Sequence, residues 1–147
     1  MSDTPPIQVR LFGPPEFRVN GAPLPRLKTR KGLHVLALLT LRHGREVARD
    51  WLAGTLWPET DERLALTYLR QSLTDLRRAL GPSAAGRLVS PSIRTLRFDV
   101  DGAAVDADYV TFEKCLKRGD AASLEQAVEL YRGPLLEGWK GGRWSGC

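Results

Sequence analysis

The stretch LTYLRQSLTDLRRAL, residues 66–80, carries guanidinium groups at Arg70, Arg77 and Arg78, an amide at Gln71 and hydroxyls at Thr67 and Thr74. Arg63 lies about one helical turn before it. Guanidinium forks pair with phosphate oxygens and with the O6/N7 edge of guanine, and an amide pairs with the N6/N7 edge of adenine. The chemistry these groups offer is non-covalent recognition of duplex DNA. Spacing decides whether they can act together. At about 100° per residue, Arg63, Thr67, Arg70, Gln71, Thr74, Arg77 and Arg78 fill one arc of roughly 120°. Leu66, Leu69, Leu73, Leu76 and Leu80 fall within another arc, of roughly 80°, that faces a core. Asp75 sits at the margin of the polar arc, and Asp61 and Glu62 precede its first arginine. A solvated helix face usually mixes signs so that i,i+4 pairs can form, whereas this one is almost purely cationic. A solvated polar face on a core-packed helix remains open as an alternative. A leucine zipper fits poorly, because the repeat lasts only about two heptads of the three or four wanted. Leu64, Ala65 and Ala79 also widen the apolar side beyond a narrow seam.

The elements around this helix follow from local pattern. IQVRLF (7–12) alternates as a strand, EFRVN (16–20) is a second, and Asn20-Gly21 is a hairpin signal leading to a Pro-edged third strand, APLPRL (22–27). Leu33 to Leu41 is apolar on nearly every side, which predicts a buried central helix with Thr29 as N-cap, ended by His43-Gly44. REVA is an extended link, and RDWLAGTLWP a second helix stopped by Pro58. The third helix runs from about Asp61 to Leu80, capped by Thr60 or Asp61 and ended by Gly81-Pro82. RLVSPSIRTLRFDV (87–100) is a hairpin with Leu96, Phe98 and Val100 on one face and SPSIR at its tip. Two further helices follow, with Val105, Tyr109, Phe112 and Leu116 in register on one, and Leu124, Ala127, Val128 and Tyr131 on the other. An N-terminal antiparallel sheet, three helices and a closing hairpin is the order of a winged helix. The expected fold is α+β: a winged helix over residues 1–100, then a short helical pair within 101–147.

Charge supports the nucleic-acid reading. The chain of 147 residues carries +5 overall, but residues 1–100 hold 16 Lys/Arg against 9 Asp/Glu, and residues 101–147 hold 6 against 8. A basic domain favours nucleic acid or an acidic surface. Arg94 at the hairpin tip can enter a narrow minor groove. Lys28, Arg30 and Lys31 at the start of the first helix oppose its dipole but suit phosphates, as does Arg97 on the outer face of the hairpin. Other functions find no motif. No phosphate-binding loop, nucleophile elbow or H-E-x-x-H is present, so no catalytic, cofactor or metal residue is expected. Cys115 and Cys147 make neither a disulfide framework nor a zinc site. With no 18-residue apolar run and no signal-peptide layout at the N-terminus, a cytoplasmic protein is expected.

VARDWLAGTLWPETDERLALTYLRQSLTDLRRALG (47–81) resembles the segment shared by SARP-type (Streptomyces antibiotic regulatory protein) regulators, whose DNA-binding domain is an OmpR/PhoB-type winged helix. The likeness rests on Leu52, Leu56-Trp57-Pro58, Leu69-Arg70-Gln71, Leu73, Leu76-Arg77-Arg78 and Leu80-Gly81. VRLFG, NGAPL and LALL extend it, and VDADYVTFEK with AVELYRGPLLEGW resembles the start of the bacterial transcriptional activation domain. The resemblance implies that helix 61–80 is the recognition helix, with Arg70 and Gln71 its central readers, and that residues 90–94 form the wing. It implies an activator on direct repeats, bound as tandem monomers, that meets RNA polymerase through the 58–62 loop. The family's activation domain is a longer helical array, so residues 101–147 are expected to be its truncated start. The competing expectation is a protein-interaction module that uses the helical pair 106–139 without DNA.

Overall fold

The computed structural model describes residues 7–24, 31–100 and 105–137. In chain order they form β1 (Ile7–Arg10), β2 (Glu16–Val19), β3 (Ala22–Pro23), α1 (Lys31–Leu41), β4 (Val47–Ala48), α2 (Arg49–Leu56), α3 (Glu62–Ala85), β5 (Leu88–Ser92), β6 (Thr95–Phe98), β7 (Val105–Ala107), α4 (Asp108–Arg118) and α5 (Ala121–Leu130). The described chain is thus α+β, with five helices and two sheets. It divides into two compact units, one of residues 7–23 with 105–137 and one of residues 31–99.

This division differs from the one expected at residue 100. In the first unit the strand order is β3-β2-β1-β7. The N-terminal sheet is antiparallel through β1, β2 and β3, but its fourth strand is parallel, Ile7 facing Val105 and Val9 facing Ala107. A parallel partner requires a long connection and no local turn announces it. The helix expected to include Asp106 therefore starts at Asp108, because Val105–Ala107 are spent on pairing. Asn20 and Gly21 both take positive φ, 53° and 81°, as a two-residue hairpin turn requires.

Asp108 ties this unit together. Its side chain is buried, and its two carboxylate oxygens accept the backbone N–H groups of Leu11 (2.8 Å) and Phe12 (3.2 Å). Its Oδ1 also accepts the N–H of Tyr109 at 2.7 Å, so the negative charge sits at the positive end of α4. The Phe12 ring packs edge-on against Phe112 at 4.9 Å and against Tyr131 at 5.3 Å. The chain after α5 returns to the same place, where Leu136 N–H donates to Leu11 O at 2.7 Å. The helical pair buries Val110, Cys115 and Ala127. Leu116, Leu124, Val128 and Tyr131, expected on apolar faces, stay exposed. At α5, Asp120 caps the helix, and the Ser123 backbone N–H and hydroxyl hold its carboxyl below the usual carboxylate range.

In the second unit α1 supplies the centre, with Val35, Leu36, Ala37, Leu38 and Leu39 all buried. Leu52 and Leu56 of α2, Leu69, Leu73 and Leu76 of α3, and Leu96 and Phe98 of β6 complete the core. Each such side chain contributes about 1.5–3 kcal/mol on full burial. REVA supplies β4, which pairs with β6 in a three-stranded sheet of order β4-β6-β5. Thr29, the expected cap of α1, lies outside the described residues. The end of that helix is as expected, with His43 and Gly44 both at positive φ.

Replacing Asp108 by alanine strands two buried N–H groups, each worth about 1–3 kcal/mol. Asp108→Ala should lower unfolding stability in urea by roughly 2–4 kcal/mol, and an unchanged midpoint would contradict the role given to this carboxylate.

Candidate nucleic-acid interface

The geometry of the polar face depends on how α3 begins, packs and ends. Asp61 is its N-cap, accepting the N–H of Leu64. Leu69, Leu73, Leu76 and Leu80 are buried with Ala65 and Ala79, whereas Leu66 is only half-buried and Leu64 is exposed. The helical run is broken at Gly81, at φ 83° and ψ 170°, and Pro82 opens the short turn that follows. That backbone conformation is nearly closed to residues with a Cβ. The arginine-bearing helix thus ends where sequence places its stop.

The opposite face carries the expected residues. Arg63, Arg70, Gln71, Thr74 and Arg78 are exposed, and Thr67 and Arg77 are half-buried. The hydroxyls of Thr67 and Thr74 donate to the Arg63 and Arg70 carbonyls, at 3.2 and 3.1 Å, which leaves their lone pairs available outward. Among the described residues, neither Arg63 nor Arg70 has a carboxylate within ion-pair distance. Arg78 does, since its Nη2 lies 2.7 Å from Oδ1 of Asp75. Asp75 was expected at the margin of the polar arc. It is instead buried, and its carboxylate anchors one guanidinium of the face.

The remaining candidates are distributed. Arg94 is exposed in the turn between β5 and β6, beside Ile93, which is 89% exposed. That turn is stiffened by Ser92 Oγ, which accepts the Arg94 N–H at 3.1 Å and lies 2.9 Å from Thr95 Oγ1. Arg97 is half-exposed. The ammonium of Lys31 donates to the Leu56 carbonyl at 2.7 Å, so one of its three donors is committed to the end of α2. Lys28 and Arg30 lie outside the described residues.

Arg49, at the start of α2, belongs with these groups although sequence reading passed over it. Its Nη2 donates to Ser90 Oγ at 3.0 Å, and Arg77 Nη2 reaches the same oxygen at 3.5 Å. Arg77 also reaches the Leu88 carbonyl at 3.5 Å, so it bridges α3 to the hairpin. Burial, and then the like charges of Arg77 and Arg70, depress the Arg49 guanidinium from its ordinary value. Its buried Nε has no hydrogen-bond partner among the described residues. Two guanidiniums, those of Arg49 and Arg77, thus meet at the Ser90 hydroxyl, with Arg70 near enough for its charge to act on Arg49, and such a gathering of positive charge suits an anion. A lone arginine opening a helix was the available signal, because a cation there opposes the dipole.

The chain has an EmbR-like fold. It is similar to Mycobacterium tuberculosis EmbR, solved in complex with a low affinity phosphopeptide, at a TM-score of 0.70 and 27% identity. The likeness covers 90% of this chain and 38% of that one, so this chain spans well under half the length of EmbR. No protein-family model and no curated protein matches the chain. Among the described residues no helix is long and apolar enough to cross a membrane, and no cluster of His, Cys, Asp and Glu could hold a metal ion.

Because the Gly81 conformation costs a Cβ-bearing residue about 1–3 kcal/mol, Gly81→Ala should lower the urea midpoint of the chain. A neutral substitution would mean that the break at this position carries no backbone strain.

Proposed function

We propose that this chain is a sequence-specific DNA-binding transcription regulator of the SARP type. In this reading α3 lies in the major groove, with Arg70 and Gln71 reading base edges and Arg63, Thr67, Thr74, Arg77 and Arg78 set around them. The β5–β6 hairpin is the wing, and Arg94 enters the adjacent minor groove. Arg49 and Arg77 clamp one backbone phosphate beside Ser90, with Arg97 and Lys31 as further phosphate contacts. The observation that carries the reading is the exposed cationic face of α3, on which Arg63 and Arg70 meet no carboxylate among the described residues. Nucleic-acid phosphate supplies the missing anion. The likeness to EmbR adds support, as does the resemblance of residues 47–81 to SARP-type regulators. As an activator acting from the cytoplasm, the protein would bind direct repeats as tandem monomers and offer its exposed 58–62 loop to RNA polymerase. The phosphopeptide in the EmbR complex makes a phosphorylated partner a further candidate.

A second reading has one specific observation behind it. Leu116, Leu124, Val128 and Tyr131 leave apolar area exposed on the helical pair, which suits a protein partner. Under that reading α4 and α5 are the functional surface and duplex is not bound.

Selection of bound duplexes from a random library separates the two. We expect enriched sites containing tandem repeats. Binding to them should neutralise about 5–7 phosphates, with a log–log salt slope near −4.5 to −6. Arg70→Ala should relax base preference at one position by about 1–3 kcal/mol. No enrichment, or binding indifferent to salt, would favour the protein-interaction reading.

Arg49→Gln should act differently from Arg70→Ala. It should weaken all duplexes about equally and reduce the salt slope by about one. A change in base preference instead would remove Arg49 from the phosphate contacts.

A further inference from the structure

A cavity of about 690 Å³ opens beside α3 in the unit of residues 31–99. Sites for small organic ligands commonly have volumes of about 300–1,000 Å³, with apolar walls and a few convergent polar groups. This one has both. Its apolar wall is the ring pair Trp57 and Tyr68, with centroids 5.9 Å apart and planes inclined at 48°. The Lys31 ammonium stands 5.9 Å from the Trp57 ring centroid, and burial depresses it from its ordinary value. Ser72 and Asp75, both buried, also line the cavity, and Asp75 holds Arg78 at the rim. The ionised groups of the described lining are Lys31, Arg78 and Asp75, an excess of one positive charge.

Each part of this lining selects for one property of a ligand. Two inclined rings cover a flat apolar body, and aromatic contacts add to area burial. The excess cation favours an anionic substituent, and a guanidinium fork favours a carboxylate or sulfonate. We propose that this cavity binds a small planar aromatic anion and that its occupant excludes duplex DNA from α3. The first half stands on the cavity alone. The second rests on the function proposed above, because Gln71, Thr74 and Arg78 belong both to the cavity and to the DNA face. A molecule bound against them occupies space a base pair would need, so the protein would leave its operator when the ligand is present.

The probe is 8-anilinonaphthalene-1-sulfonate, an aromatic anion with a flat naphthalene body and a sulfonate, whose fluorescence rises in apolar surroundings, titrated into the full chain. One saturable site is expected. Its affinity should fall at least tenfold in Trp57→Ala and in Arg78→Gln. Tyr68→Leu, which keeps an apolar residue at that wall, should weaken it as well. Val128→Ser, which alters the exposed apolar patch of the other unit, should leave the site unchanged. Circular dichroism and the thermal midpoint confirm that each variant is folded. Probe binding that survives the three cavity substitutions, or that is lost in Val128→Ser, overturns the cavity proposal. In a second arm, a duplex that the probe-free chain binds is added. Mutual displacement supports the antagonism, and simultaneous binding overturns it while leaving the cavity in place. If no duplex binds the probe-free chain, the proposed function fails and the antagonism with it, and the first arm alone decides the cavity.

Discussion

Burial of one leucine row on α3 is the constraint on which the rest depends. Leu69, Leu73, Leu76 and Leu80 can leave water only if α3 takes a single rotation about its axis against the core. That rotation turns Arg63, Arg70, Gln71 and Thr74 outward together. The helix is held against α1, α2 and β5, so its azimuth is set from several sides. Apolar packing thereby organises a polar surface without contributing a single atom to it. Asp61 and Gly81 fix where the helix starts and stops, which limits the arginine row to one length.

Electrostatics then divides that surface into parts with different behaviour. Arg78 is balanced by Asp75 and held at the rim of the aromatic cavity. Arg63 and Arg70 stand in solvent, where charge is cheap to keep and available to a partner. Arg49 and Arg77 are drawn together by Ser90 in spite of their like charge. Crowding cations without a neutralising carboxylate opposes folding and favours capture of an anion. Among the described residues, this surface thus holds one guanidinium balanced by a carboxylate, Arg78, two without a carboxylate partner, Arg63 and Arg70, and the like-charged pair of Arg77 on α3 and Arg49 on α2.

What could be read from the sequence was local. The third helix was legible because leucine periodicity, an acidic cap and Gly-Pro lie within some twenty residues of each other. The Asn20-Gly21 turn and the 87–100 hairpin carried their own turn chemistry. The features that were not legible join distant residues. β7 pairs with β1 across almost a hundred residues, so the first strands belong to a unit with 105–137 rather than with the helices that follow them. Nothing local to Asp108 announces its main partners, Leu11 and Phe12, which lie almost a hundred residues before it. Arg49 meets Ser90 across 41 residues, and no periodicity on either segment encodes that meeting. Periodicity also misjudged α4 and α5. It marked Leu116, Leu124, Ala127 and Val128 as inward, but of these only Ala127 is buried, and Val110 and Cys115 fill the interior beside it.

Side-chain nuclear magnetic resonance of the arginines, with a library-selected duplex added to the full chain, tests the central claim most directly. The Nε–Hε signals of Arg63, Arg70 and Arg77 should shift or broaden on binding, while those of Arg118 and Arg132 in the other unit stay in place. Shifts confined to Arg118 and Arg132, with the α3 signals unmoved, would contradict the account.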